Sequence, residues 1–285
     1  MNLLKKTSLF PFFFSLTFLL FGCQKNIDED VELDLDTEII IADANVGVTV
    51  SEIDNIADQA EVLSFVSKKT YDITDVLNDC ATVEKDDTLF GNNYDTLYTR
   101  VSFGEVECEG IDGRKRKGKI EIMSVYNKLG FRKFREINTE NYHVQGKKVR
   151  LQRKLEYDTL NDLNQFVWKL IGNVEITYSN NEKTTVDFDK KYTLVSGGDT
   201  PLNLEDDELQ ITGSENGIRK NGKNFTNTII EPLKVSRNCR YVKEGKIKFE
   251  IENEIDFVLD YGAGSDCDNK VDILYGDQKE VIELD

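Results

Sequence analysis

The chain has 285 residues, of which 31% are charged, and its formal net charge is −17 at pH 7. Such acidity argues against nucleic-acid binding, which needs a basic footprint, and against broad contact with an anionic membrane surface. The only histidine, His143, lies between Tyr142 and Val144 without a nearby serine or acid pattern, so it is interpreted as structural. We therefore predict no catalytic residue, no cofactor and no enzymatic activity.

The first residues have the order of a bacterial lipoprotein leader. Lys5 and Lys6 precede an apolar run from Leu9 to Phe21, which is too short for a membrane span of ~20 residues. The stretch Leu20-Phe21-Gly22-Cys23 then resembles a lipobox. We predict a signal peptide at residues 1–22, a lipid on Cys23 and an outer-membrane location, facing the periplasm or exposed at the cell surface. The alternative is an ordinary secretory signal with an incidental cysteine.

Two segments follow the leader. Residues 23–45 are acidic and have few large apolar side chains before Ile39, which predicts a flexible tether. Residues 46–78 are predicted to be helical. A helix capped by Ser51 should extend to Phe65, because its apolar residues recur at helical spacing, and a short turn is predicted around Tyr71–Leu77.

Residues 79–285 are predicted to form one antiparallel β domain. Apolar residues alternate with polar ones, as in Val149-Arg150-Leu151 and Ile247-Lys248-Phe249. We predict about twelve strands, joined by short connections. Hairpin turns are predicted at Gln145-Gly146, Asn180-Asn181, Asn221-Gly222 and Gly276-Asp277. The predicted fold class is all-β, either a sandwich or a strongly curved sheet, with one short N-terminal helix.

Four cysteines remain after Cys23, and an even number in an exported chain suggests disulfides. Three pairings are possible. The spacing favours Cys80 with Cys108 and Cys239 with Cys267, since each pair is separated by 28 positions. The second cysteine of each pair also follows an aromatic–glycine step, Phe103-Gly104 or Tyr261-Gly262. With no CxxC pair and one histidine, a zinc site is not expected.

The glycine, cysteine and turn pattern of residues 80–284 resembles an uncharacterised family of Bacteroidota lipid-anchored β-rich lipoproteins. The resemblance implies a lipid-anchored β protein and carries no known active site. The stretches on which it rests are Phe103-Gly104, Asp112-Gly113-Arg114, Gly118-Lys119-Ile120, Pro201-Leu202, Ile211-Thr212-Gly213, Leu259-Asp260-Tyr261-Gly262 and Cys267-Asp268-Asn269-Lys270.

Positive charge is concentrated in one segment of this acidic chain. Residues 114–154 hold 14 Lys and Arg against three acids. One hypothesis is a basic face that binds an anionic glycan, lipid or protein partner. The alternative is charge balancing by acidic neighbouring strands. The candidate ligand-binding residues are Arg114, Lys115, Arg116, Lys117, Lys148, Arg150 and Lys154.

Two acidic stretches are candidate sites. Glu254, Asp256 and Asp260 partly resemble a β-sandwich glycosidase signature, but Ile255, Phe257 and Leu259 would then face the core and the acids the solvent. The acids from Asp260 to Asp272 surround glycines, as calcium sites do, yet they do not match an EF-hand. We predict solvated acids and no bound metal.

The leading functional hypothesis is a non-enzymatic envelope module that binds a ligand or partner. The second is a carrier whose curved sheet shelters a lipid or acyl chain, and the third is a glycosidase. A deep apolar concavity would favour the carrier, an open basic face would favour partner binding, and converging acids in a cleft would favour the enzyme.

Overall fold

The structure, a computed structural model, describes residues 37–65, 80–129, 132–199, 206–236, 238–239, 241–263 and 267–283. The predicted all-β antiparallel class with one helix is confirmed, with fourteen strands. The elements are α1 (Thr37–Phe65), β1 (Thr82–Phe90), β2 (Tyr94–Ser102), β3 (Cys108–Glu109), β4 (Lys115–Asn127), β5 (Arg132–Val144), β6 (Lys147–Leu160), β7 (Phe166–Thr177), β8 (Lys183–Ser196), β9 (Glu208–Ile218), β10 (Asn224–Ser236), β11 (Glu244–Ile251), β12 (Phe257–Ala263), β13 (Lys270–Tyr275) and β14 (Gln278–Glu283).

All strands belong to one sheet, in which each long strand pairs with the next along the chain. The short β3 lies beside β4, and β1 and β14 end the path. The four predicted hairpin turns are confirmed. Gln145 and Gly146, for example, both have positive φ between β5 and β6, as a type I′ turn requires. This meander needs only local connections, which agrees with the short loops seen in the sequence.

The sheet curls around the helix. Buried side chains from β2 to β13 belong to one hydrophobic cluster with α1, and residues of β6 to β12 line one space together with α1, so the inner faces of distant strands approach the same helix. Glycines permit this curvature. At Gly118 and Gly213, both with positive φ, a Cβ atom would lie 2.2 Å from a backbone oxygen of the neighbouring strand. Of the two predicted arrangements, the single curved sheet is the one found.

The helix starts earlier than the sequence analysis predicted. It begins at Thr37, so the prediction of a helix capped by Ser51 is wrong, and residues 37–45 are not part of a tether. No proline interrupts this stretch, and Gly47 costs only about 1 kcal/mol relative to alanine. Extending a helix that is already docked is therefore favourable. The leader, Cys23, the tether residues up to position 36 and the turn predicted at Tyr71–Leu77 lie outside the described residues.

Most of the circumference of α1 is covered where its side chains are described. Ile53, Ile56, Ala57 and Ala60 are fully buried, as their spacing predicted. An exposed stripe remains, formed by Val48, Ser51, Asn55 and Asp58. Within the described ranges, no helix has the length and hydropathy that a membrane span requires.

Both predicted disulfides are confirmed: Cys80 bonds Cys108 and Cys239 bonds Cys267, each with 5.5 Å between Cα atoms. Each disulfide joins the residues that flank the open end of one hairpin, β1–β2 in the first case and β11–β12 in the second. The glycines after the aromatic residues also correspond, with φ of 79° at Gly104 and 77° at Gly262. The two corners are therefore structurally alike.

Candidate ligand-binding site

Arginines on the inner face of the sheet pair with acids of α1. Glu52 contacts Arg114 and Arg116, Asp54 contacts Arg153, Asp58 contacts Arg135, and Glu61 contacts Arg132 and Arg135. We call these five residues the arginine seam: Arg114, Arg116, Arg132, Arg135 and Arg153. The seam joins residues 52–61 of α1 to β4, β5 and β6 and to Arg114 just before β4.

Much of the arginine seam is buried. The side chain of Arg116 is 1% exposed and that of Glu61 is 3% exposed. Burial opposes the charge of Arg116, but Asp112 and Glu52 outweigh it, so the pKa of Arg116 lies above its usual value. The hydrogen bond from Arg116 in turn lowers the pKa of Asp112. These charges are retained because each has a close partner.

The seam changes the interpretation of the basic segment. Arg114 and Arg116 form ion pairs with Glu52 of α1, so they do not contribute to an open basic face. Lys115 lies 4.0 Å from Glu109, and Lys154 lies 2.7 Å from Glu156. One expectation was that acids on neighbouring strands balance the positive charge. For the arginines, however, the balancing acids lie mainly on α1. Of the candidate residues, Lys117, Lys148 and Arg150 have no ion pair with the described part of the chain.

A cavity of about 390 Å³ lies beside the arginine seam, between α1 and the inner face of strands β6–β12. Most of its lining is apolar. The apolar and aromatic lining residues are Val46, Val50, Leu170, Val174, Val186, Phe188, Tyr192, Phe225, Ile229, Leu233, Val242, Ile247, Phe249, Leu259 and Tyr261. The alternation of the strands explains this, since each contributes every second side chain to the concave face.

Two charged pairs also line the cavity. Asp54 pairs with Arg153, and the ammonium group of Lys190 lies 2.5 Å from a carboxylate oxygen of Glu215. Burial lowers the pKa of Arg153 to about 10, which leaves it protonated at neutral pH. Burial, with the charge of Glu215 as a smaller cause, raises the pKa of Tyr261 to about 12, so its hydroxyl stays neutral. The cavity thus has an apolar wall and electrically balanced polar groups.

The opposite face of the sheet carries a larger groove of about 590 Å³ across β1, β2, β4 and β5. Its polar side chains are already engaged with one another. Arg100, for example, lies 3.2 Å from Glu121 and 3.6 Å from Glu84. This groove lacks the apolar enclosure typical of small-molecule sites, so the concave cavity is the better candidate.

The acids of the glycosidase hypothesis do not converge. Glu254, Asp256 and Asp260 pair with three different lysines, at 2.7, 3.0 and 3.6 Å. Phe257 and Leu259 are buried as predicted, but Ile255 is 50% exposed. That part of the prediction is wrong, because Ile255 belongs to the turn before β12 rather than to the strand.

The acidic loop near β13 is explained by turn geometry. Asp260 accepts a hydrogen bond from the backbone of Gly262, and Asp268 accepts one from Lys270. The described residues contain no group of His, Cys, Asp and Glu suited to a metal ion; Asp266 lies outside them. His143 is in β5, where its Nδ1 lies 2.8 Å from the carbonyl oxygen of Asn141.

Sequence reasoning missed the charged residues of the cavity, although a signal was present. In β6 the inward positions are Val149, Leu151, Arg153 and Leu155, so Arg153 interrupts an apolar series. Lys190 interrupts β8 in the same way after Val186 and Phe188. A charged side chain at an inward position indicates a buried partner or a site.

Comparison of the chain with protein-family models, with curated proteins and with solved structures found no match.

Proposed function

We propose that this chain is a lipid-anchored envelope module that binds an apolar ligand, such as an acyl chain, in the cavity between α1 and the sheet. The observation that supports this most is the cavity itself. Its volume of about 390 Å³ falls within the ~300–1,000 Å³ of ordinary ligand pockets. Its apolar lining, with a few buried polar groups, is also what such pockets share.

The cavity is unlike ordinary packing defects. Protein interiors are packed as densely as organic crystals and leave few voids larger than a water molecule. Here Phe188, Phe225 and Phe249 surround open space, whereas Ile53 and Ile56 in the adjacent part of the same core are fully buried. A retained apolar space lined by aromatic side chains supports ligand binding more strongly than it supports partner binding by an open face.

The only tryptophan of the chain provides a test. Trp168 stacks on Tyr192, with ring centroids 5.8 Å apart, and Tyr192 lines the cavity. A brominated alkyl ligand in the cavity should therefore quench Trp168 fluorescence. The assay uses the purified full-length protein in nanodiscs. Val186→Phe should weaken saturable quenching, because the larger ring occupies part of the cavity.

Asp187→Phe is the matched control. It adds the same ring at the adjacent position of β8, where the side chain points to the opposite, exposed face. Saturable quenching should persist in this variant. Equal quenching in Val186→Phe and in the unchanged protein would contradict ligand binding in the cavity.

The lipid anchor is tested separately. Cys23→Ala should leave the chain unprocessed by the lipoprotein signal peptidase and without fatty-acid label, because the lipidated cysteine is both the cleavage point and the attachment site. Unchanged labelling in this variant would reject the anchor.

A second candidate function rests on three adjacent strands of the opposite face. Lys117 is paired in register with His143, and His143 with Lys148. Lys117 and Lys148 therefore flank His143 on the two neighbouring strands, and neither has an ion pair with the described part of the chain, so an anion bound across the three strands would be favourable. With Arg150, these residues form what we call the residual basic row. We propose it as a site for an anionic glycan, lipid or acidic partner.

Reversing this row tests the second candidate. The triple change Lys117→Glu, Lys148→Glu and Arg150→Glu should abolish salt-sensitive retention on anionic glycans and on anionic vesicles, since exposed charges act within ~8 Å at physiological ionic strength. The control reverses three lysines that already have acidic partners, Lys119, Lys128 and Lys154. It has the same net charge, so equal loss in both variants would reject a specific site.

A further inference from the structure

We infer that the cavity selects amphiphiles with an uncharged, hydroxyl-bearing head, and that Asp54 and Arg153 recognise this head. The inference rests on the proposed function and specifies its ligand class. It follows from the geometry of the Asp54–Arg153 pair, from the hydrogen bonds that the pair leaves unmade, and from the balance of charge around the cavity.

Asp54 and Arg153 meet where α1 crosses the inner face of β6. The side chain of Arg153 is 9% exposed, and both residues line the cavity. Their contact uses one nitrogen, Nη1, and one oxygen, Oδ2. Nη1 and the Nε–H lie on opposite edges of the guanidinium, so this contact leaves the Nε–H of Arg153 and the second carboxylate oxygen of Asp54 without a role in the pair.

Both of these atoms are unsatisfied within the described part of the chain. The Nε of Arg153 is buried and donates no hydrogen bond, and the Oδ1 of Asp54 is buried and accepts none. A buried polar group without a partner is unfavourable by an amount comparable to a lost hydrogen bond. The spare donor needs an acceptor on the ligand head and the spare acceptor needs a donor, and a hydroxyl is the simplest group that can serve as either.

Charge selects a neutral head over an ionised one. The cavity holds two cations, Arg153 and Lys190, and two anions, Asp54 and Glu215, in two contacting pairs. A carboxylate head would add an uncompensated negative charge, and an ammonium head an uncompensated positive one. Either is strongly disfavoured in an apolar surrounding. Primary alcohols and acylglycerols meet both conditions.

The experiment compares three brominated ligands with the same alkyl chain: a primary alcohol, its methyl ether and the corresponding carboxylate. Binding to full-length protein in nanodiscs is measured from quenching of Trp168. The alcohol should bind at least about tenfold more tightly than the ether, because a site built to donate and accept hydrogen bonds discriminates against a ligand that cannot do both. It should also bind more tightly than the carboxylate at neutral pH.

Two variants test the residues. Asp54→Leu combined with Arg153→Met replaces the pair by apolar groups of similar size, a change that buried ion pairs often tolerate, and should make alcohol and ether equal. Arg153→Lys keeps the charge but removes Nε, and should reduce the preference for the alcohol. Asp58→Asn, which removes a helix–sheet pair outside the cavity lining, should leave the preference unchanged.

The outcomes separate the inference from the proposed function. Saturable binding of all three ligands with equal affinity would overturn the head-group inference and leave the cavity function standing. Tightest binding by the carboxylate, lost in the double variant, would overturn neutral selection. Absence of saturable quenching by any ligand would reject the proposed function, and the inference with it.

Discussion

The two halves of the concave face present different side chains to the space that α1 enters. Strands β4, β5 and β6 direct Arg116, Arg135 and Arg153 inward, whereas β8 and β10 direct Phe188 and Phe225 inward. The first half meets four acids of α1 and closes into the arginine seam. The second half has no such partner among the described side chains and retains the cavity.

This difference shows how one alternating pattern can produce two kinds of interior. Burying an arginine requires a nearby acid, so each inward arginine fixes where the helix must lie. Phenylalanine makes no such demand and needs only apolar contact, which a ligand can supply as well as the protein can. The position of α1 therefore follows from its ion pairs with the first half, and the space for a ligand follows from the lack of helix–sheet ion pairs among the described side chains of the second.

The largest expected effect is at the buried end of the arginine seam. Glu61→Ala removes the carboxylate that lies 2.9 Å from Arg132 and 3.1 Å from Arg135. Leaving buried arginines without this partner should lower the free energy of unfolding by ~3–5 kcal/mol. Urea denaturation measures it.

Asp58→Asn is the control for this substitution. It removes an ion pair to Arg135 from the same helix, but the Asp58 side chain is 53% exposed, so the loss should stay below ~1 kcal/mol. Equal losses in Glu61→Ala and Asp58→Asn would show that burial does not distinguish these two ion pairs of Arg135.

The disulfides compare the two halves directly, because one closes a hairpin beside the seam and the other a hairpin beside the cavity. Both span 28 positions. Replacing either pair by serines should lower the free energy of unfolding by a similar ~3–4 kcal/mol, since the loop-entropy contribution depends on loop length. Denaturant titration of the two double variants measures this. A loss confined to one pair would show that packing already holds the other hairpin closed.

The disulfides and strands could be predicted because their signals are local. Equal spacing of Cys80–Cys108 and Cys239–Cys267 identified the pairs, and alternation such as Val149-Arg150-Leu151 identified the strands. The turn at Gln145-Gly146 could be predicted because glycine readily adopts the positive φ that a two-residue hairpin turn requires. In each case, neighbouring residues contain the information that determines the structure.

The helix start and the site depend on contacts between distant parts of the chain. The acidic composition of residues 23–45 suggested a flexible tether, and nothing local shows that Glu52 meets Arg116 across 64 positions. The cavity is likewise defined by a helix and seven strands together. Arg153 was the local signal that could have been used, since it interrupts the inward apolar series of β6.

A smaller change in the free energy of unfolding should distinguish the packed core beside α1 from the walls of the cavity. Val101→Phe enlarges a fully buried residue in the cluster beside α1, and overpacking should lower the free energy of unfolding by ~1–3 kcal/mol. Val186→Phe makes the same change at a cavity-lining residue, where the ring has room, so the loss should stay below ~1 kcal/mol or become a gain. Urea denaturation of both variants provides the comparison. Equal destabilisation would indicate that the cavity walls are as tightly packed as the rest.

The smallest effect is the acid sensitivity of the seam. The hydrogen bond from Arg116 lowers the pKa of Asp112 below its usual 3.8. A carboxyl group whose pKa is lower in the folded chain stabilises the fold above its unfolded pKa, and this contribution is lost as the pH falls through the folded value. Asp112→Asn should therefore be less stable than the unchanged protein at pH 6, and the difference should shrink as the pH falls below about 4. The comparison subtracts acid effects common to both proteins. A stability difference that stays constant from pH 6 to pH 2 would mean that the charge of Asp112 does not contribute. Asp112 would then support Arg116 by hydrogen-bond geometry alone, and the seam would be no more sensitive to acid at this position than the cavity half.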